Sequence, residues 1–148
     1  MGPWSITPLD DGPYPTVSVK RNVSDSPEVI IVGYGGASLL VERALARLEE
    51  EEIVAEGVFP SVLSPMRLDP VVSRISSVGS AVVVEEGIQS FGWGNHVVAE
   101  TFKAAGARAM KIEQVGAHAT VIPSASALER QTLPTLDRII SAVWTVMQ

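Results

Sequence analysis

The sequence predicts an α/β fold, with a mainly parallel sheet covered by helices on both faces. Three observations predict it. Wholly apolar runs at 29–32 and 81–84 read as strands buried on both sides. Stretches with apolar residues at helical spacing lie between the strand-like runs. Glycine and proline mark the junctions. Strands alternating with helices of this length need crossover connections, and crossovers produce parallel pairing.

The first 27 residues hold five of the ten prolines: Pro3, Pro8, Pro13, Pro15 and Pro27. Proline fixes φ and removes a donor, so this stretch favours extended chain. We read 1–15 as an extended arm or linker and 16–148 as one domain. Within the latter, 16–20 alternates as a short edge strand.

Residues 29–32 form the first buried strand, which ends at Gly33. Ala37, Leu40, Val41, Ala44, Leu45 and Leu48 then give one apolar helical stripe. That helix runs into Glu49, Glu50, Glu51 and Glu52. Carboxylates oppose the macrodipole there, which predicts a solvated, fraying end. Residues 53–59 read as a strand interrupted by Gly57.

Asp69-Pro70 predicts a helix start, with the carboxylate as N-cap and proline in the first turn. After the strand at 81–84, Val97, Val98, Phe102 and Ala105 mark a helix that Gly106 stops. Residues 110–115 alternate as a strand nearer the sheet edge. Ser126 and Glu129 have capping-box spacing. Pro134 opens a last helix with the stripe Leu136, Ile139, Ile140, Val143, Trp144 and Met147.

Composition narrows the function. A chain of 148 residues supplies one domain with a real core. A net charge of −6 opposes a nucleic-acid partner, because phosphate binding relies on Lys and Arg. The absence of cysteine excludes disulfides, thiolate nucleophiles and Cys-based metal sites. No apolar run approaches the ~18 residues of a membrane helix, and no secretory pattern opens the chain. A cytoplasmic protein without membrane contact is the expectation.

Two segments are candidate sites. Gly33, Gly35, Gly36 and Ser38 follow a strand and open a helix, where backbone N–H groups can hold an anion. The pattern departs from G-x-G-x-x-G, since Ser38 takes the third glycine's place. Phe59 and Pro60 stand where a ribose-binding acid belongs. A plain strand-to-helix turn is the other reading.

Glu85 and Glu86 end a strand at the sheet's carboxyl edge. Neighbours on a strand point to opposite faces, so the two carboxylates diverge. The following loop is permissive and partly apolar. Glu86, Phe91, Gly92, Trp93, Gly94 and His96 are its candidate interface with a partner subunit. His96 and His118 stand 22 residues apart, and no G-x-S-x-G elbow is present. No catalytic or metal-binding residue is assigned.

The order of the motifs carries a resemblance. Residues 28–35 (EVIIVGYG), Leu63-Ser64-Pro65, residues 82–87 (VVVEEG), Gly92-Trp93-Gly94, Ile122-Pro123, Leu128-Glu129 and Leu133-Pro134 appear in sequence. The chain thus resembles, over 16–148, the C-terminal domain of transketolases and of 2-oxo acid dehydrogenase beta subunits. The Leu-Glu and Leu-Pro pairs look most like the dehydrogenase (pyruvate, branched-chain or acetoin) branch.

The resemblance implies a three-layer α/β/α sandwich on a five-stranded, mostly parallel mixed sheet, with 17–20 as its antiparallel strand. It also implies a stand-alone subunit of a split enzyme dependent on thiamine diphosphate, one that decarboxylates a 2-oxo acid or transfers a two-carbon ketol. This chain would serve assembly and bind no cofactor alone. Thiamine diphosphate and Mg2+ would be held by partner subunits carrying pyrophosphate- and pyrimidine-binding domains, in a homo- or hetero-oligomer. The alternative is a free-standing module that binds a small anion or regulates a partner.

Three departures stand out from the family pattern. Phe59-Pro60-Ser61 replaces Asp-Leu-Arg, His96 replaces a glutamate, and Gly57 replaces an apolar strand residue.

Overall fold

The computed structural model describes residues 4–21, 25–121, 125, 129 and 131–148. Six strands appear among them: β1 (Trp4–Pro8), β2 (Val17–Arg21), β3 (Val29–Gly33), β4 (Ala55–Phe59), β5 (Ser80–Ile88) and β6 (Lys111–Ala117). The helices are α1 (Ala37–Glu50), α2 (Asp69–Val78), α3 (Trp93–Ala105) and α4 (Leu136–Met147). One sheet runs in the order β1-β2-β4-β3-β5-β6. Strands β4, β3, β5 and β6 are parallel, while β2 is antiparallel to β4 and β1 antiparallel to β2.

The predicted α/β class holds, and the sheet has six strands rather than five. The extra strand is β1, in the stretch read as an arm. Its turn explains why it folds back. Asp10 accepts from Gly12 N at 2.9 Å and from Thr16 N at 2.8 Å, closing the loop between β1 and β2. Those backbone bonds hold the Asp10 carboxyl below its usual range.

Strand alternation sends side chains to two cores. Val29, Ile31, Val82 and Val84 pack under α1 and α4, with Val41, Leu45, Leu48, Ile139 and Val143. Ile30, Val32, Val58, Ala81 and Val83 pack under α2 and α3, with Val71, Ile75 and Val97. Each fully buried Val or Ile contributes roughly 1.5–3 kcal/mol, so the central strands hold the three layers together.

Between β4 and α2 lies a buried ion pair. Glu56 is 1% exposed, and both its oxygens meet Arg74, at 2.6 Å from Nε and 2.5 Å from Nη2. Ser18 Oγ donates to the same carboxylate at 2.7 Å. The planar fork of Arg74 satisfies a charge that β4 could not otherwise bury.

Several local expectations shift. Asp69 is the first helical residue rather than the N-cap. Leu68 takes the cap position and no side chain bonds there. Gly57 does not interrupt β4, since it pairs with Val19 and Ile31. A Cβ at Gly57 would come within 2.9 Å of Leu45 Cδ1 and 2.7 Å of the Phe59 ring, so close packing requires glycine.

The glutamate run has partners at the end of α1. Glu49 pairs with Arg21 at 3.0 Å, and Arg47 with Glu50 and Glu51 at 3.6 and 2.9 Å. Gly106, at φ 59°, ends α3. The cap of α4 is Thr135, which accepts from Arg138 N at 3.3 Å. The Ser126 half of the expected capping box lies outside the described residues.

Candidate functional site

The carboxyl ends of β3 and β5 are neighbours in the sheet, with Gly33 in register with Val84. That pairing joins the two segments that the sequence presented separately. Tyr34, just past β3, stacks edge-on against Trp93 of α3, with centroids 5.2 Å apart and planes at 73°. Its hydroxyl donates to Glu85 Oε2 at 3.4 Å. Glu85 Oε1 accepts from Gly94 N at 3.0 Å.

The divergence of Glu85 and Glu86 now has a structural meaning. Glu85 turns to the α3 side and is 3% exposed. Glu86 is exposed and turns to the α1 side, against Gly36. Neither α1 nor α3 has an acidic residue in its first turn, and neither cap glycine, Gly36 or Gly92, can offer a side chain. One strand end therefore supplies a carboxylate to each helix N-terminus. This is the charge that a helix macrodipole favours at that position.

The glycines of the loop make room for this. A Cβ on Gly92 would collide with the Glu85 carboxylate, and one on Gly94 would sit 2.8 Å from Glu85 Oε1. A Cβ on Gly36 would run into Glu86. Gly35, at φ 56°, makes the turn itself.

This geometry bears on the anion reading of Gly33, Gly35, Gly36 and Ser38. Ala37 N bonds to Tyr34 O and Ser38 N to Gly35 O, both at 3.2 Å. Those amides are already used, and Glu86 places a negative charge against the turn. A second anion would meet repulsion there.

Of the loop residues, Gly94 is buried, Gly92 and Trp93 are half-buried, and His96 is exposed. Phe91 is 91% exposed, and Ile88 beside it 37%. A glycine-bounded loop thus holds two apolar side chains out into solvent.

Tyr34 and Glu85 are the residues that the candidate sets missed. The available signal was a strand-end carboxylate with glycines at 87, 92 and 94, which are the positions a buried carboxylate needs empty. Burial, then the charge of Glu85 and its hydrogen bond, and finally Glu86, push the Tyr34 phenol above its usual range. Both oxygens of Glu85 are engaged, so its geometry suits positioning the loop rather than taking a proton from a substrate.

Beyond β5, Asn95 Nδ2 donates to Gln89 O at 2.8 Å, and Gln114 Nε2 to Asn95 Oδ1 at 3.4 Å. His118 and Ser90 line the same shallow hollow. Among the described residues no group of three or more His, Asp or Glu side chains could hold a metal ion. No described helix is long and apolar enough to cross a membrane.

Fold and site together define a class: a three-layer α/β/α domain whose own carboxylates lie at the N-termini of α1 and α3, at the carboxyl edge of its sheet. The chain belongs to the transketolase C-terminal domain family, whose description matches residues 19–139. It is similar to the acetoin:2,6-dichlorophenolindophenol oxidoreductase subunit beta of Cupriavidus necator, with 34% identity over 130 residues. That match covers 85% of this chain but 38% of the relative, well under two thirds of its length.

Among solved structures it is similar to a split-gene transketolase, an inactive beta4 tetramer. The TM-score is 0.70 at 25% identity, covering 83% of this chain and 40% of that one. A 2-oxoglutarate:ferredoxin oxidoreductase from Magnetococcus marinus shares the fold, with a TM-score of 0.58 at 19% identity over 88% of this chain and 20% of that one.

Proposed function

We propose that this domain serves assembly in a thiamine-diphosphate-dependent enzyme of the transketolase and 2-oxo acid dehydrogenase kind. It acts as a C-terminal-domain subunit beside chains that carry the pyrophosphate- and pyrimidine-binding domains. The assembly decarboxylates a 2-oxo acid or transfers a two-carbon ketol, and the domain itself works in the cytoplasm. Supporting this reading are the family membership and the relatives, one a beta subunit and one a split-gene transketolase.

The observation that carries it is the loop at Phe91. Loops that expose a large aromatic side chain on a fixed base resemble the anchors of protein interfaces. Glu85, Tyr34 and Gly94 fix that base, and Phe91 is its exposed tip. The proposed interface residues are Glu86, Phe91, Gly92, Trp93 and His96, with the buried Gly94 supporting them from beneath.

The turn from Gly33 to Ser38 does not fit the cofactor's diphosphate. The amides of Ala37 and Ser38 are spent, and Glu86 repels an anion at Gly36. Thiamine diphosphate and Mg2+ are therefore assigned to the partner chains, and no reaction step is assigned to this one.

Mixing the chain with such subunits from the same organism tests the reading. Co-elution as one complex supports it, and separate elution contradicts it. A saturable thermal shift with small anions, lost on replacing Gly35, would instead favour the free-standing module.

A further inference from the structure

The structure assigns a second surface, independent of the Phe91 loop. We infer that β1 pairs edge to edge with the β1 of a second copy of this chain, about a twofold axis at Ile6. Strand β1 ends the sheet and lies ahead of the residues matched to the family. Its sequence, Trp4-Ser5-Ile6-Thr7-Pro8, carries no charge, and Ile6 is 69% exposed. Protected edges ordinarily carry a Lys, a proline or an inward-pointing charge, and of these β1 has only Pro8, at its last position.

The hydrogen-bond pattern shows which groups the edge offers. Leu9 N donates to Thr16 O at 2.8 Å, which makes that a hydrogen-bonded pair of the hairpin. Antiparallel pairs alternate, so Thr7 with Ser18 and Ser5 with Lys20 are the bonded pairs further along. The backbone groups of Trp4, Ile6 and Pro8 then face away from β2. Pro8 sits where its missing N–H costs the hairpin nothing.

A twofold at Ile6 uses these groups well. Each Ile6 N–H meets the C=O of Ile6 in the second copy, and each Trp4 N–H meets the C=O of Pro8. All five residues overlap, and Pro8 lacks only a donor.

The side chains favour a second copy over other occupants. Trp4 and Ile6 share a face with Val19, and this face and the flank of α1 line a hollow of 460 Å³. Ala46, Glu42 and Arg43 form the α1 wall. Glu42 and Arg43 place one charge of each sign side by side. Under a twofold each Glu42 can turn to the Arg43 of the other copy, a self-complementary arrangement. A partner of one charge sign would leave one of the two opposed.

Sedimentation equilibrium of the full chain over a concentration series tests this. A dimer is expected. Ile6→Pro removes the outward N–H without touching a bond to β2, and should weaken dimerisation ~10- to 100-fold while the circular dichroism is kept. Should Ile6→Pro unfold, E42R provides the second arm. It sets like charges together and should weaken the dimer, and E42R with R43E should restore it. A monomer at every concentration overturns the inference. So does a dimer indifferent to both Ile6→Pro and E42R.

Discussion

Glu85 Oε1 accepts a 3.0 Å hydrogen bond from Gly94 N, so the last buried residue of β5 caps the helix that follows the loop. The bond closes the Gly87–Trp93 segment as a ring and fixes where Phe91 stands. Replacing Glu85 with Ala should cost about 1–2 kcal/mol, as loss of a helix cap does. Glu85→Gln keeps an acceptor and should cost less. Denaturant unfolding of both variants measures the difference.

Gly92 tests the same ring from the other side. A Cβ there collides with the Glu85 carboxylate. Gly92→Ala should therefore destabilise by about 1–3 kcal/mol, as overpacking does. Combined with Glu85→Ala, the penalty should fall, because the colliding group is gone. Additive losses in the double mutant would argue against the contact.

Tyr34 gives a pH signature. Its phenol is held above the ordinary value of 10.0, mainly by burial and then by Glu85. A raised folded pKa means that the folded state keeps its proton longer than the unfolded chain. This stabilising contribution is thus fully present below pH 10.0 and is lost as pH rises through the folded value. Absorbance titration of the two tyrosines should show a late-ionising phenol that Tyr34→Phe removes.

The Glu56–Arg74 pair is the costliest to break. Arg74→Met strands a carboxylate that is 1% exposed, and should destabilise by about 3 kcal/mol. Replacing both partners with apolar residues should recover much of that loss. Thermal unfolding of the single and double variants checks both statements.

Much of the fold was legible in the sequence because buried parallel strands and amphipathic helices leave strong periodic signals. Residues 29–32 and 81–84 are apolar throughout, and α1 and α4 show their stripes. What escaped depends on contacts distant in the chain. Strand β1 has a mixed, proline-bounded sequence, and only Asp10's turn and the pairing with β2 make it a strand. Gly57 read as a break because its close neighbour Leu45 belongs to another element.

The site was half legible. The loop glycines and the divergence of Glu85 and Glu86 are local features of the chain. The meeting of Tyr34 with Glu85 and Trp93 needs β3 and β5 to be neighbours, which spacing alone does not reveal.

The most direct measurement of the central claim is turnover of the assembled enzyme as this chain is titrated into its proposed partner subunits. Activity should rise to a plateau at stoichiometric chain. Phe91→Asp should leave the domain's stability unchanged, since Phe91 is 91% exposed, but abolish the rise. Turnover that is the same without the chain, or that Phe91→Asp supports as well as the native sequence, would contradict the account.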